Sequence, residues 1–200
     1  MFTFRPLESR RRGQGYPLVA GVDEVGRGAL AGPLVAAAVV LRVGARLPNL
    51  KDSKALTRLQ REQFAKRILA VAESIGYGQV PPAAVDRLGV ASANELAFRL
   101  ALDALRPRPD YVLADYFSIT DYRCPVEGVL HGDIVIRSIA AASILAKVYR
   151  DKLMFTLAAT HPQYGFESHV GYGTAAHEKA IRMHGLTKIH RQSFCKKFLT

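Results

Sequence analysis

Leu18-Val19-Ala20-Gly21-Val22-Asp23-Glu24-Val25-Gly26-Arg27-Gly28 is an apolar run that ends in two adjacent acids and a glycine-rich break. It reads as a strand from Pro17 to Val25, interrupted by Gly26 to Pro33 and followed by a second strand from Leu34 to Arg42. Neighbouring strand residues point to opposite faces, so Asp23 and Glu24 meet at one site only at the strand's end, where Gly26 lets the backbone bend. Gly26-Arg27-Gly28 with Gly32 superficially suggests a dinucleotide-binding loop. That fingerprint needs a helix after the glycines to receive the pyrophosphate, whereas here Pro33 and a strand follow. In a strand-to-strand loop the glycines expose backbone N–H groups to close approach, and Arg27 between them suits a sugar-phosphate backbone. A plain hairpin loop accounts for the glycines alone equally well.

Working outward, residues 1–15 are basic and are expected to form a flexible N-terminus. Residues 16–200 are expected to be a single domain with a helical C-terminal extension. Thr57 is the expected N-cap of a helix to about Glu73, with Leu59, Phe64, Ile68 and Leu69 on its apolar face. Ser74 to Val80 reads as a third strand closing a meander. Pro81-Pro82 starts a short helix, and Ser92 to Leu105 forms a longer one stopped by Pro107 and Pro109. Asp110 to Asp115 follows that helix as a short buried strand, an order that predicts a parallel addition to the sheet. Val126 to Leu130 is a further strand and Ile134 to Thr160 a helix, in which Ser138 to Asp151 carries small residues suited to close packing on a sheet.

Two further acids repeat the theme of carboxylates at the ends of apolar segments. Asp115 closes Tyr111-Val112-Leu113-Ala114, and Asp133 follows Gly132 just before the long helix. Such a cluster near buried strands repels itself unless a cation sits within it. Hard oxygen ligands select Mg²⁺ or Mn²⁺. The two cysteines, Cys124 and Cys195, make neither a disulfide framework nor a zinc site, and the spacing of the histidines matches none either. The 200-residue chain nevertheless carries 28 Lys and Arg against 17 Asp and Glu, a net charge of +11. An acidic spot on a basic protein points to a metal site facing a polyanion, with Lys54, Lys147, Arg150 and the C-terminal Lys and Arg residues as phosphate contacts. A membrane partner is disfavoured, because the longest apolar stretch, Ala29 to Leu41, falls short of the ~20 residues needed to span. With no apolar run behind Arg10-Arg11-Arg12, the expected location is the cytoplasm.

Taken in order, these segments resemble bacterial type 2 ribonuclease H, the ribonuclease HII family. The stretches that carry the resemblance are Gly21-Val-Asp-Glu-Val-Gly-Arg-Gly, Asp52-Ser-Lys, Gly132-Asp133 with Ser-Ile-Ala-Ala-Ala-Ser-Ile-Leu-Ala-Lys and Arg-Asp, His161-Pro-Gln-Tyr-Gly-Phe, Gly171-Tyr-Gly-Thr, and His190-Arg-Gln-Ser-Phe. The resemblance implies a ribonuclease H fold, a mixed five-stranded sheet flanked by helices. It places the four metal-binding acids on Asp23, Glu24, Asp115 and Asp133. The 2′-hydroxyl-reading loop falls on Gly26-Arg27-Gly28, and the tyrosine that stacks on the following deoxyribose on Tyr172. It further implies a monomer that hydrolyses the RNA strand of RNA–DNA hybrids and incises 5′ of ribonucleotides embedded in duplex DNA, leaving 3′-hydroxyl and 5′-phosphate ends. Tyr116 departs from the family pattern, since glycine commonly follows the third acid; Ala29 stands where proline is usual. The tail from Phe194 carries no clear sliding-clamp-binding motif. Two rival readings remain, another metal-dependent nuclease on the same fold and a non-catalytic nucleic-acid-binding module.

Overall fold

The computed structural model describes residues 4–50, 53–117 and 119–198. Asp52 of the Asp52-Ser53-Lys54 loop lies outside the described residues. A short helix α1 (Leu7–Gly13) leads into β1 (Val19–Val25) and β2 (Leu34–Leu41). A 3₁₀ turn at Ser53–Ala55 precedes α2 (Arg58–Val71), β3 (Ala72–Val80), α3 (Pro82–Leu88) and α4 (Val90–Asp103). Then come β4 (Tyr111–Asp115), β5 (Val126–Val129), α5 (Gly132–Val135) and the long α6 (Arg137–Thr160). The chain closes with α7 (Phe166–His169), α8 (Ala175–His184) and α9 (Gln192–Cys195). Among the described residues, no helix is long and apolar enough to cross a membrane.

The five strands form one mixed sheet in the order β3-β2-β1-β4-β5, as expected. β1, β2 and β3 run antiparallel as a meander, while β4 joins β1 and β5 joins β4 in parallel. Strand alternation sorts the core into two layers. Ala20, Val22, Ala36 and Ala38 face α4, packing with Ala97, Phe98, Ala101 and Leu102. Ala37, Val39 and Leu41 face α2 and α6, packing with Phe64, Ile68, Ala141 and Ile144. With helices on both faces, every residue of β2 is buried, which is why its sequence is apolar throughout rather than alternating.

Local chemistry sets the helix boundaries. Thr57 caps α2 through a capping box in which its hydroxyl accepts from the Gln60 N–H and the Gln60 side chain accepts from the Thr57 N–H. The expected apolar face of α2 needs correction: Phe64, Ala65 and Ile68 are buried, but Leu59 and Leu69 are 65% and 56% exposed. Phe64 and Ile68 are four residues apart and share a face, whereas Leu59 and Leu69 are rotated well away from it at 3.6 residues per turn. The single helix expected from Ile134 to Thr160 is broken at Ile136, whose extended φ of −120° and ψ of 125° separate α5 from α6. The N-terminus expected to be flexible instead contains α1, whose side chains have partners on the sheet and on α6. The Ser138 N–H at the start of α6 donates to Glu8 Oε1 at 2.9 Å, and Arg11 pairs with Glu127 at 2.6 Å.

The small residues of α6 allow it to approach β1 at backbone distance. A Cβ built on Gly21 would lie 2.3 Å from the Ser138 carbonyl carbon and 2.4 Å from the Ile139 nitrogen. No side-chain rotation relieves a clash with backbone, so the helix itself would have to move. Gly21→Ala is therefore expected to destabilise the protein by about 3 kcal/mol, or roughly 6–12 °C in Tm. Gly13→Ala, where a Cβ meets nothing within 4 Å, is the control and should be close to neutral. Thermal melts of the two variants check this.

Candidate active site

The acids gather because parallel strands deliver their C-terminal ends side by side. Val22 on β1 pairs with Ala114 on β4, so Asp23 and Asp115, one residue further on, fall next to each other on the α6 face. Asp133 reaches the same place from α5, its N–H directed at Asp115 Oδ1 at 3.4 Å. One carboxylate oxygen from each of Asp23, Asp115 and Asp133 lies within 4.8 Å of the others. Glu24 stands outside that trio, as strand alternation requires. It lines the same cleft from the end of β1, with its side chain 13% exposed and Oε1 3.9 Å from Arg27 Nη1.

The electrostatics of this cluster are unfavourable as it stands. Burial pushes the Asp23 carboxyl well above the usual carboxylate range, and the charges of Glu24 and Asp115 push it further. Burial also raises Glu24, against the pull of Arg27, and raises Asp115, with Asp133 adding to the rise and Lys54 opposing it. Glu24 Oε2 is buried without a hydrogen-bond partner among the described residues. Four oxygen-bearing acids, one with an orphaned buried oxygen, fit a hard divalent cation. Among the described residues that line the cleft, none offers sulfur or imidazole.

The Gly26-Arg27-Gly28 loop borders the acids and is held from behind. Gly26 has φ 85°, and its N–H donates to the Tyr172 hydroxyl at 3.2 Å. The Arg27 carbonyl accepts from the buried Arg191 guanidinium at 2.9 Å, and the Gly26 carbonyl accepts from the Ala29 N–H. Because C=O and N–H point opposite ways across a trans peptide, the N–H groups of Arg27 and Gly28 are turned outward. Neither has a hydrogen-bond partner among the described residues. Tyr172 sits against the Arg150 guanidinium, 5.3 Å from its ring centroid, with Lys147 Nζ at 5.8 Å.

Arg150, expected at a phosphate, requires correction. It is 0% exposed and donates to the carbonyls of Pro33, Val170 and Ala31, so it ties the glycine loop to the Tyr172 turn instead. The C-terminal Arg191 is likewise 0% exposed, with Gly32 O and Arg27 O as acceptors. Full burial and these carbonyl partners leave it no access to a ligand phosphate. Lys54 and Lys147 do line the cleft, Lys54 at 3.2 Å from Asp133 Oδ2 and Lys147 at 2.8 Å from Asp151. Ser53, Arg61 and Ser143 also line it and were not anticipated. Ser143 lies within the small-residue helix, where packing alone explained its size, and its hydroxyl is 2.9 Å from that of Ser53.

The Tyr172 turn is held by a chain of buried histidines. His177 Nδ1 lies 3.0 Å from the Tyr172 carbonyl, and its Nε2 lies 3.3 Å from His190 Nε2. His190 Nδ1 in turn meets the Thr187 N–H at 3.1 Å and its hydroxyl at 2.9 Å.

The raised carboxyls carry a sign for stability. The folded state holds protons that the unfolded chain releases, so the stability these three groups contribute is fully present below about pH 4 and is lost as pH rises through the raised values. Asp23→Asn keeps an oxygen able to accept from the Glu24 N–H, a bond of 2.7 Å to Asp23 Oδ1, while removing one charge. The variant should melt several degrees above wild type in chelator at pH 7, and the gap should close toward pH 4. Melting curves across that range check both the sign and the window.

The sequence model of Ribonuclease HII matches residues 20–197. Ribonuclease HII of Desulfitobacterium hafniense is 45% identical over 90% of this chain and 69% of its own length. Among solved structures, the ribonuclease H2 of Pyrococcus horikoshii OT3 aligns with a TM-score of 0.76 at 27% identity, covering 90% of this chain and 96% of that one. Bst-RNase HIII in complex with Mn²⁺ shares the fold, with a TM-score of 0.69 at 22% identity over 94% of this chain and 71% of that one. The matched span takes in both strands that end in acids, the glycine loop and the Tyr172 turn. The chain belongs to the ribonuclease HII family and is a ribonuclease H.

Proposed function

We propose that the protein hydrolyses the RNA strand of RNA–DNA hybrids and incises on the 5′ side of ribonucleotides embedded in duplex DNA, leaving 3′-hydroxyl and 5′-phosphate ends. The observation that carries this reading is the carboxylate trio within 4.8 Å, set beside a loop whose free N–H groups face outward. Asp23, Glu24, Asp115 and Asp133 would hold Mg²⁺ or Mn²⁺, and the Mn²⁺ complex of the structurally similar ribonuclease HIII supports that choice. Two such ions, when bound, supply a nucleophilic water and stabilise the leaving 3′-oxygen. The catalytic unit in this reading spans residues 16–200, with α1 packed on it.

The chain's own residues do the recognising. The outward N–H groups of Arg27 and Gly28 meet the 2′-hydroxyl oxygen, the one group that separates RNA from DNA at this point. Arg191 orients that peptide by holding its carbonyl inward. Lys54 and Lys147 neutralise backbone phosphates, which position the strand without reading sequence. Tyr172 stacks on the deoxyribose beyond the ribonucleotide, and Arg150 supports its ring from behind.

A duplex with one embedded ribonucleotide tests the reading directly. With Mg²⁺ or Mn²⁺ the products should map to a single cut 5′ of the ribonucleotide, and chelator should abolish cutting. Asp23→Asn and Asp133→Asn should lose turnover and remain folded; near-wild-type rates in either would remove that residue from the mechanism. A 2′-deoxy substitution at the target should bind yet resist cleavage.

Tyr172→Ala should slow cutting of the single-ribonucleotide duplex about ten- to hundredfold, the scale of ~1–3 kcal/mol of stacking, and affect a continuous RNA strand less. Equal losses on both substrates together with a lower Tm would instead make Tyr172 a packing residue of its turn.

A further inference from the structure

Tyr116 sits in a conformation that its side chain does not explain. Its φ is 60°, and the Phe117 N–H donates to the Asp115 carbonyl across it at 2.6 Å. This is a three-residue turn in the positive-φ region, strained for any L-residue and more so for a bulky aromatic. Glycine would occupy the position without strain. The turn is anchored, since the Tyr116 N–H donates to the Val129 carbonyl at 2.9 Å.

Burial does not offset the strain, for Tyr116 is 65% exposed. Its ring meets Phe117 edge-on, with centroids 5.1 Å apart and planes at 76°. The Phe117 ring in turn lies under the Arg27 guanidinium at 4.5 Å. The residue before Tyr116 is Asp115, a member of the carboxylate trio. A strained, exposed aromatic thus adjoins the acids and connects through Phe117 to the middle of the glycine loop. Strain of this kind is held in place by the surrounding structure and clusters at active sites and ligand clamps.

We propose that Tyr116 is a substrate-binding residue whose ring stacks on a nucleotide of the strand crossing the cleft at the end of β4. The proposal rests on the reading of the cleft as a nucleic-acid site. Gly26 touches Tyr172 and Arg27 touches Phe117, which in turn meets Tyr116, so successive residues of the loop contact two separate aromatic groups. Stacking accepts any base, which suits a site that reads a sugar hydroxyl rather than a base edge.

The test compares Tyr116→Gly with Tyr116→Phe in the full chain. Binding to an RNA–DNA hybrid is measured by fluorescence anisotropy in chelator, Tm by thermal melt, and kcat and KM with Mg²⁺. Tyr116→Gly should melt higher, because the strain is gone, yet bind the hybrid about tenfold more weakly and raise KM by a similar factor with kcat nearly unchanged. Tyr116→Phe should match wild type in Tm and affinity. Wild-type affinity in Tyr116→Gly overturns the proposal. So does a lower Tm in that variant, which would make the ring a packing element, or binding by Tyr116→Phe as weak as by Tyr116→Gly. A wild-type chain that binds the hybrid without cutting it overturns the hydrolytic reading and leaves the binding comparison decisive.

Discussion

The backbone contact between α6 and β1 is the constraint from which the site's geometry follows. Gly21 brings Ser138 of the helix to within a Cβ's reach of the strand. Once that contact is made, α6 has little freedom to slide or rotate, and everything it carries is placed. Ser143 arrives at the cleft floor, Lys147 at its wall, and Arg150 beneath the glycine loop. Asp133, one turn before the helix begins, is brought against Asp115. A helix held further off by bulkier side chains would leave these groups short of the strand ends.

Arg150 and Arg191 form a second, dependent layer. Both are fully buried, and each bonds to backbone carbonyls rather than to a carboxylate. Burial lowers the Arg191 guanidinium to about 10, with Arg150 adding repulsion. Two buried cations are costly unless they are hydrogen-bonded, and here each guanidinium nitrogen has a carbonyl partner, gathered from separate loops. The loops between β1 and β2 and around Tyr172 are thereby held relative to each other with little regular structure of their own. Leu30 and Ala31 add backbone bonds to the Gly171 carbonyl, and Leu30, Met154 and Phe166 fill the space between.

Much of this was legible in the sequence, for reasons that differ from residue to residue. β1 and β4 are apolar up to their C-terminal ends, and acids that close such runs are visible as anomalies. The parallel placement of β4 followed from its position after a helix. The capping box at Thr57 was half written in the N-cap residue itself. The failures share a different origin. Arg150 and Leu59 were assigned by type, a basic residue to phosphate and an apolar one to the core, and type does not encode which way a helical position points. The packing of α1 depends on partners such as Glu127 and Ser138, more than a hundred residues away in sequence, which no local pattern discloses. Arg191 was hidden for the same reason, since its role appears only when the C-terminal segment lies behind Arg27.

The histidine chain behind Tyr172 has a directional consequence. The Tyr172 carbonyl can only accept, so the single proton of a neutral His177 resides on Nδ1, and its Nε2 must accept from His190. His190 therefore carries its proton on Nε2 and offers Nδ1 to the Thr187 N–H. Every link is set by the one before it, so the two rings admit a single tautomeric pattern, and an added proton would bring N–H against N–H. Burial accordingly depresses both imidazoles, His190 to about 4, with His177 contributing. Imidazole is the side chain most often recruited to sense acidity near neutrality, and here burial and the shared tautomer pattern both work against protonation. The turn that presents Tyr172 is thus backed by a relay of fixed tautomers, in which burial disfavours the charged form of both rings.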